Sequence, residues 1–266
     1  MEKIMAFNKI KIDENGTLIH YFLDEDEYSI KIPKEVKKIR GNFLCNHSDC
    51  VKEVFIPSSV TEIAPSAFYC CENLETIEFE DVKSITKIGI CAFMGCKNLT
   101  NIQLPNISII DKMLFYGCSK LQKIVIPESV KIIEDSAFEK CLSFTKIDIP
   151  SSIEKISYCS FYYCKNLTEV LIKNSKKQLT IEPFAFIGCE KLSVVKLSNK
   201  IQRIYHDAFA KCPSIKEIYI DDNYSDYAFQ NFDKNWDNET GEFKVVFNDN
   251  QKLTKEEAKI VRNENE

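Results

Sequence analysis

A phenylalanine returns at near-constant spacing through most of this chain: Phe43, Phe68, Phe93, Phe115, Phe138, Phe161, Phe186 and Phe209. The steps between them are 25, 25, 22, 23, 23, 25 and 23 residues. Around each, with small variations, runs the pattern Ile-x-x-x-Ala-Phe-x-x-Cys-x-x-Leu-x-x-Ile-x-Ile. A period in the low twenties holds one short supersecondary unit, and such units bury their apolar faces only by stacking on one another. The expected fold is a repeat solenoid, mainly β. A solenoid works by presenting a long surface, which shifts the expected function away from a closed catalytic pocket.

Within each unit the segment Leu-x-x-Ile-x-Ile, as in Leu74 to Phe79, alternates with period two and reads as a strand. Pro57, Pro105, Pro127 and Pro150, with Pro33 ahead of the first repeat, stop the strands, because proline cannot donate to a ladder. Val60 and Ile63, Val130 and Ile133, and Ile153 and Ile156 mark a second short extended segment. The Ala-Phe-x-x-Cys stretch turns the chain back through a tight turn or a 3-10 segment, with Gly95, Gly117 and Gly188 supplying conformational freedom.

Seven of the twelve cysteines (Cys71, Cys96, Cys118, Cys141, Cys164, Cys189 and Cys212) stand three residues after a repeat Phe. Stacking turns one position per repeat into a column, here a ladder of small apolar thiols. Parallel side chains aimed at one core reach a disulfide dihedral with difficulty, so reduced thiols are expected. Cys91 and Cys159 share a second slot, two residues before Phe, and are read as packing residues.

The ends depart from the repeat. Residues 7 to 32 alternate around Glu14-Asn15-Gly16, a hairpin signal, and Ile30 to Val36 copies half a repeat. The predicted organisation is an N-terminal hairpin cap over 1–38, eight repeats over 39–220, and a degenerate repeat, cap and tail over 221–266. Ala228-Phe229 begins a ninth unit, 242–247 reads as a closing strand, and Thr254 with Glu257 makes a capping box for a short final helix.

Composition excludes several classes. The net charge is −5, the pI is near 5.5, and Lys and Arg form no block. Nucleic acid is therefore an unexpected partner, since its binding rests on a basic footprint. No apolar run approaches the roughly 18 residues of a membrane span, and the first residues lack a secretory apolar stretch. An intracellular location is expected on that basis, with the cell surface or an unconventional export route as the alternative. Three histidines (His20, His47, His206) and no Gly-x-Ser-x-Gly or phosphate loop leave little material for catalysis, so no enzyme and no cofactor are expected.

The unit resembles the leucine-rich repeat of BspA-like proteins. Leu121-Gln-Lys-Ile-Val-Ile-Pro127-Glu-Ser-Val130-Lys-Ile-Ile133-Glu-Asp-Ser-Ala137-Phe138-Glu-Lys-Cys141 carries every fixed position of that motif. The resemblance implies a leucine-rich-repeat horseshoe or a right-handed β-solenoid-like stack. It also implies surface proteins of anaerobic bacteria and of parasitic or commensal protists, among them adhesins and surface antigens that bind host matrix or other cells.

In such a solenoid the strand face points outward through the residues between the inward apolar ones. Its middle row reads Phe55, Glu78, Gln103, Val125, Asp148, Leu171, Lys196 and Tyr219, and the row before it Glu53, Thr76, Asn101, Lys123, Lys146, Glu169, Val194 and Glu217. Four middle positions are apolar or aromatic where water contact is expected, which makes this row the candidate site for a protein partner. Tyr69, Tyr116, Tyr162 and Tyr163 follow the repeat Phe and read as half-buried packing. A different class of function, metal- or redox-sensing, would use Cys45/His47/Cys50 with Asp49, or the thiol ladder itself. A loop with slipped register is the preferred account of Cys45 to Cys50. The oligomeric state is open.

Overall fold

Alternation drives the architecture. In each Leu-x-x-Ile-x-Ile segment the two isoleucine-type positions point to one side and the residues between them to the other. The computed structural model describes residues 5–7, 10–24, 27–44, 50–175, 177–198, 200–221, 244–247 and 252–254. In it, strands one repeat apart pair in parallel, residue for residue: Phe55 faces Glu78, Asp148 faces Leu171, and Lys196 faces Tyr219. The main ladder is a three-stranded sheet (Ser29–Lys31, Glu53–Ile56, Thr76–Phe79), then a two-stranded one (Asn101–Gln103, Lys123–Val125), then a six-stranded one. The last runs through Lys146–Ile149, Glu169–Ile172, Val194–Leu197, Glu217–Ile220 and Lys244–Phe247, and closes with antiparallel Lys252–Thr254. The two-stranded sheet holds the strands on either side of the shortest repeat step.

The Val/Ile-x-x-Ile segments form a second parallel ladder. Lys38–Ile39, Glu62–Ile63 and Lys87–Ile88 continue an antiparallel set, Met5–Phe7, Ile10–Ile12 and Thr17–Tyr21. Farther on, Ile109–Ile110, Ile132–Ile133, Lys155–Ile156, Leu179–Ile181 and Ile201–Ile204 pair in order. Between the ladders, the prolines end strands as expected, and the carbonyls of Pro33, Pro57, Pro127 and Pro150 accept from Val36, Val60, Val130 and Ile153 in tight turns.

From Phe68 to Phe209 the Ala-Phe-x-x-Cys corner contains two left-handed residues per repeat. One precedes Ala-Phe: Ser66, Cys91, Met113, Ser136, Cys159, Phe184 and Asp207 have φ between 53° and 60°. The other follows Phe by two: Cys70, Lys140, Tyr163 and Lys211 share it with Gly95, Gly117 and Gly188. Sequence signals identified only the glycines. The other residues hold the conformation because each corner N–H is committed, alternately within the turn and to the next repeat, as in Phe138 N to Ser160 O at 2.8 Å and Lys140 N to Tyr162 O at 2.8 Å.

The core is a continuous column. Phe68, Phe93, Phe115, Phe138, Phe161, Phe186 and Phe209 are fully buried, with successive ring centroids 5.0 to 5.6 Å apart and nearly parallel. Phe43 meets Phe68 edge-on, so the stack changes geometry at its N-terminal end.

The hairpin appears where Glu14-Asn15-Gly16 placed it, with Gly16 at φ +77° and Ile10–Ile12 antiparallel to Thr17–Tyr21. A further strand, Met5–Phe7, extends it. The closing strand is present as Lys244–Phe247. The C-terminal helix is not borne out: Thr254, its expected cap, ends a β-strand that pairs with Lys244–Phe247, and 255–266 lie outside the described residues. The ninth unit at Ala228-Phe229 also lies outside them.

Candidate functional site

Strand alternation and parallel register bring the middle row onto one face. Phe55 and Glu78, Gln103 and Val125, and Asp148, Leu171, Lys196 and Tyr219 are direct register partners within the three successive sheets. Glu53, Thr76, Asn101, Lys123, Lys146, Glu169, Val194 and Glu217 form the parallel row beside them. Lys31 precedes Phe55 in the middle row and Val246 follows Tyr219, positions the sequence reading did not assign to the face.

Exposure along the row is uneven. Val125 is 66 % exposed, whereas Phe55, Leu171 and Tyr219 are half-buried. Of the four apolar or aromatic positions where water contact is expected, Val125 is exposed and the other three keep part of their surface in water. The strand spacing explains the others, because large side chains on neighbouring strands shield one another. Lys196, for example, sits with its Nζ 5.7 Å from the centre of the Tyr219 ring.

Described residues of this face line shallow grooves. One of 370 Å³ surrounds Phe55 between Lys31, Glu53, Thr76 and Glu78. A second, of 490 Å³, surrounds Gln103 and Val125 and is floored by Leu104, Pro105 and Pro127. The third, of 590 Å³, surrounds Tyr219 between Ser193, Lys216, Lys244 and Thr254.

Charges on the face are locally balanced in the middle. Lys146 lies 3.3 Å from Glu169 and 3.7 Å from Asp148, and the hydrogen bond to Glu169 raises its pKa. Glu128 accepts from Lys173 at 2.8 Å and from the Ser151 amide and hydroxyl, which lowers its pKa. The Tyr219 hydroxyl donates to Glu217, and that bond raises the tyrosine pKa. The two lysine–carboxylate pairs are largely exposed, so each contributes little to stability.

Of the corner tyrosines expected to be half-buried, Tyr69 departs. Tyr69 is exposed, while Tyr116, Tyr162 and Tyr163 are half-buried, and Lys140 Nζ donates to the Tyr116 hydroxyl at 2.8 Å.

The chemistry of the interior is inert. Cys96, Cys118, Cys141, Cys164, Cys189 and Cys212 are fully buried outside any disulfide, and each thiol donates to the carbonyl of the Phe one repeat earlier at 3.1 to 3.4 Å. Burial pushes Cys118 and Cys164 up to about 12, and Cys96, Cys141 and Cys189 well above the ordinary range. Neutral buried thiols are neither nucleophiles nor metal ligands, so the ladder does not support redox or metal sensing. Cys45, His47 and Asp49 lie outside the described residues, and Cys50 is exposed. Among the described residues no group of three or more His, Cys, Asp or Glu is placed to hold a metal. His206 sits on an exposed edge, 3.1 Å from the Asp207 carboxylate and edge-on to Phe184, and His20 packs against Phe22. Among the described residues no helix is long and apolar enough to cross a membrane.

Comparison with known proteins agrees with this geometry. The family model described as BspA type leucine rich repeat region matches residues 19–141 and 108–235, in six copies. Among solved structures, the T. pallidum leucine rich repeat protein is 24% identical, covers 71% of this chain and 91% of its own, and superposes with a TM-score of 0.61. A leucine rich cell surface protein from Faecalibacterium prausnitzii A2-165 is 18% identical over 92% of this chain and 94% of its own, with a TM-score of 0.43. The pneumococcal vaccine antigen PcpA is 16% identical over 92% of this chain and 87% of its own, with a TM-score of 0.45. At these identities the likeness is one of fold. No curated protein matches the sequence.

Proposed function

Because the chain belongs to the BspA-type leucine-rich repeat family, we propose that it is a non-enzymatic interaction module that holds a protein partner against its strand face. One observation carries the reading. The scaffold positions repeat almost without change, while the outward row of the same strands differs at every repeat, from Phe55 through Val125 to Tyr219. Packing dictates the first set, and only something outside the solenoid has use for the second. Half-buried Phe55 and Tyr219, beside shallow grooves, and half-buried Leu171, between Asp148 and Lys196, supply apolar anchors with polar surroundings, the usual anatomy of a protein-binding patch. The resemblance to adhesins of the family points to a partner carried on another cell as one form of this reading. Intracellular residence is the reading that Cys70 and Cys91 support, being part-exposed and outside any disulfide.

The test is capture by the immobilised full chain, compared with a triple variant carrying Phe55→Ser, Leu171→Ser and Tyr219→Ser. The expected result is a partner held by the native chain and lost by the triple variant while the fold persists by circular dichroism. Identical capture by both proteins overturns the assignment of the strand face.

A further inference from the structure

Four lysines gather at the C-terminal end of the strand face, in a chain whose net charge is −5. They come from separate stretches of sequence and meet through strand pairing. Lys196 is the register partner of Tyr219, Lys244 of Glu217 and of Thr254, and Lys252 of Val246. Val195, Ile218 and Val245 belong to the core, so their strand neighbours lie on the outward side, where Val246 is also buried. Lys216, immediately before the strand Glu217–Ile220, lines the same 590 Å³ groove as Lys244. All four lysines are exposed.

Among the described residues the positive charges outnumber the negative ones at this end. Among the described residues lining this groove, Glu217 is the single carboxylate. It already accepts from the Tyr219 hydroxyl and lies 3.9 Å from Lys252 Nζ. The opposite end of the face has the reverse balance, with Glu53 and Glu78 against Lys31 around Phe55. The strand face is thus polar along its length, acidic at the first repeats and basic at the last.

We propose that the basic end binds an acidic peptide segment in extended conformation, carrying Asp or Glu at alternate positions. This inference rests on the strand-face reading and names the chemistry of one part of the partner. The spacing fits. Neighbouring strands lie about 4.8 Å apart, so three strand steps from Lys196 to Lys252 span roughly 14 Å. An extended peptide crossing the strands sets same-side side chains about 6.7 Å apart, so residues i, i+2 and i+4 cover roughly 13 Å. Ser193 and Thr254 add hydroxyls that line the groove, and the Tyr219 ring offers an apolar floor. A long polyanion such as nucleic acid is disfavoured, because Glu169, Asp148 and Glu78 interrupt the face farther along. Attraction between exposed charges makes the binding weak and salt-sensitive.

The experiment measures fluorescence anisotropy of a labelled peptide of alternating Ser and Glu, titrated with the full chain at low salt. The expected result is saturable binding, weakened about tenfold or more, some 1.4 kcal/mol, by Lys196→Glu with Lys244→Glu. The control pair Lys131→Glu and Lys200→Glu, exposed and off the strand face, leaves it unchanged. If the double reversal fails to fold, Lys196→Gln with Lys244→Gln gives the same comparison with less perturbation. Equal binding of a Ser/Lys peptide, or equal loss in the control pair, overturns the proposal. So does tighter binding of a single-stranded oligonucleotide of equal charge. A partner lost with Phe55→Ser, Leu171→Ser and Tyr219→Ser but kept by the lysine reversals overturns this inference alone. A partner indifferent to both sets overturns the strand-face reading as well.

Discussion

The Phe–Cys column and the outward row of the strands are built by the same repeat and obey opposite rules. In the column, rings from Phe68 to Phe209 stack at 5.0 to 5.6 Å with no exposure, and six buried thiols, Cys96 to Cys212 in the repeat slot, each meet a Phe carbonyl one repeat away. A residue there has identical neighbours above and below, so any change is felt twice. In the row, Val125 and Leu171 stand beside residues as different as Gln103 and Asp148. Nothing in the stack requires a particular side chain there. Stability resides in the column, and the row is free to carry the recognition proposed for it.

The largest expected effect breaks the column at its centre. Phe138→Ala removes a ring that touches Phe115 at 5.5 Å and Phe161 at 5.2 Å, and should cost about 3–5 kcal/mol. Because coupling runs only between neighbouring repeats, urea unfolding should also lose cooperativity and separate into two transitions. A single transition with a small midpoint shift would show that the column is not the main source of stability.

A second effect tests the thiols. Burial raises Cys118 and Cys164 from an ordinary value of 9.0 to about 12. A folded-state pKa above the unfolded one means that their contribution is complete below pH 9 and is lost as pH climbs from 9 toward 12. The loss should be on the order of 1 kcal/mol per pH unit for each thiol. The urea midpoint of the native chain should therefore fall more steeply between pH 8 and pH 10.5 than that of a Cys118→Ala, Cys164→Ala variant. Parallel pH profiles would contradict the burial argument.

The smallest effect belongs to the row. Val125→Ser, at a side chain 66 % exposed, should move the midpoint by less than about 0.5 kcal/mol. A loss comparable with Phe138→Ala would mean that the outward row is also scaffold.

Much of the fold was legible because stacking converts periodicity in sequence into columns in space. The Phe beat placed the column, the period-two alternation gave the main ladder, and proline marked the strand ends. The second ladder was readable from pairs such as Val130 and Ile133. The left-handed corners at Met113, Lys140 and Lys211 were not, since only glycine announces that conformation and the hydrogen bonds that enforce it come from the adjoining repeat. Thr254 misled for a similar reason. Its local pattern matches a helix cap, but pairing with Lys244–Phe247 satisfies the backbone in another way. The candidate row was named position by position from sequence. The degree to which Phe55, Leu171 and Tyr219 sink between their neighbours was not, because shielding depends on the side chains of adjacent strands.

The sequence by itself determined that this protein is a stack of leucine-rich repeats with a phenylalanine and cysteine interior, because each repeat carries its own complete set of packing residues. Tertiary structure alone decided what that stack presents. Lys196, Lys216, Lys244 and Lys252 are scattered along the chain, and only register pairing, parallel between repeats and antiparallel at the last strand, gathers them into one basic end opposite an acidic one.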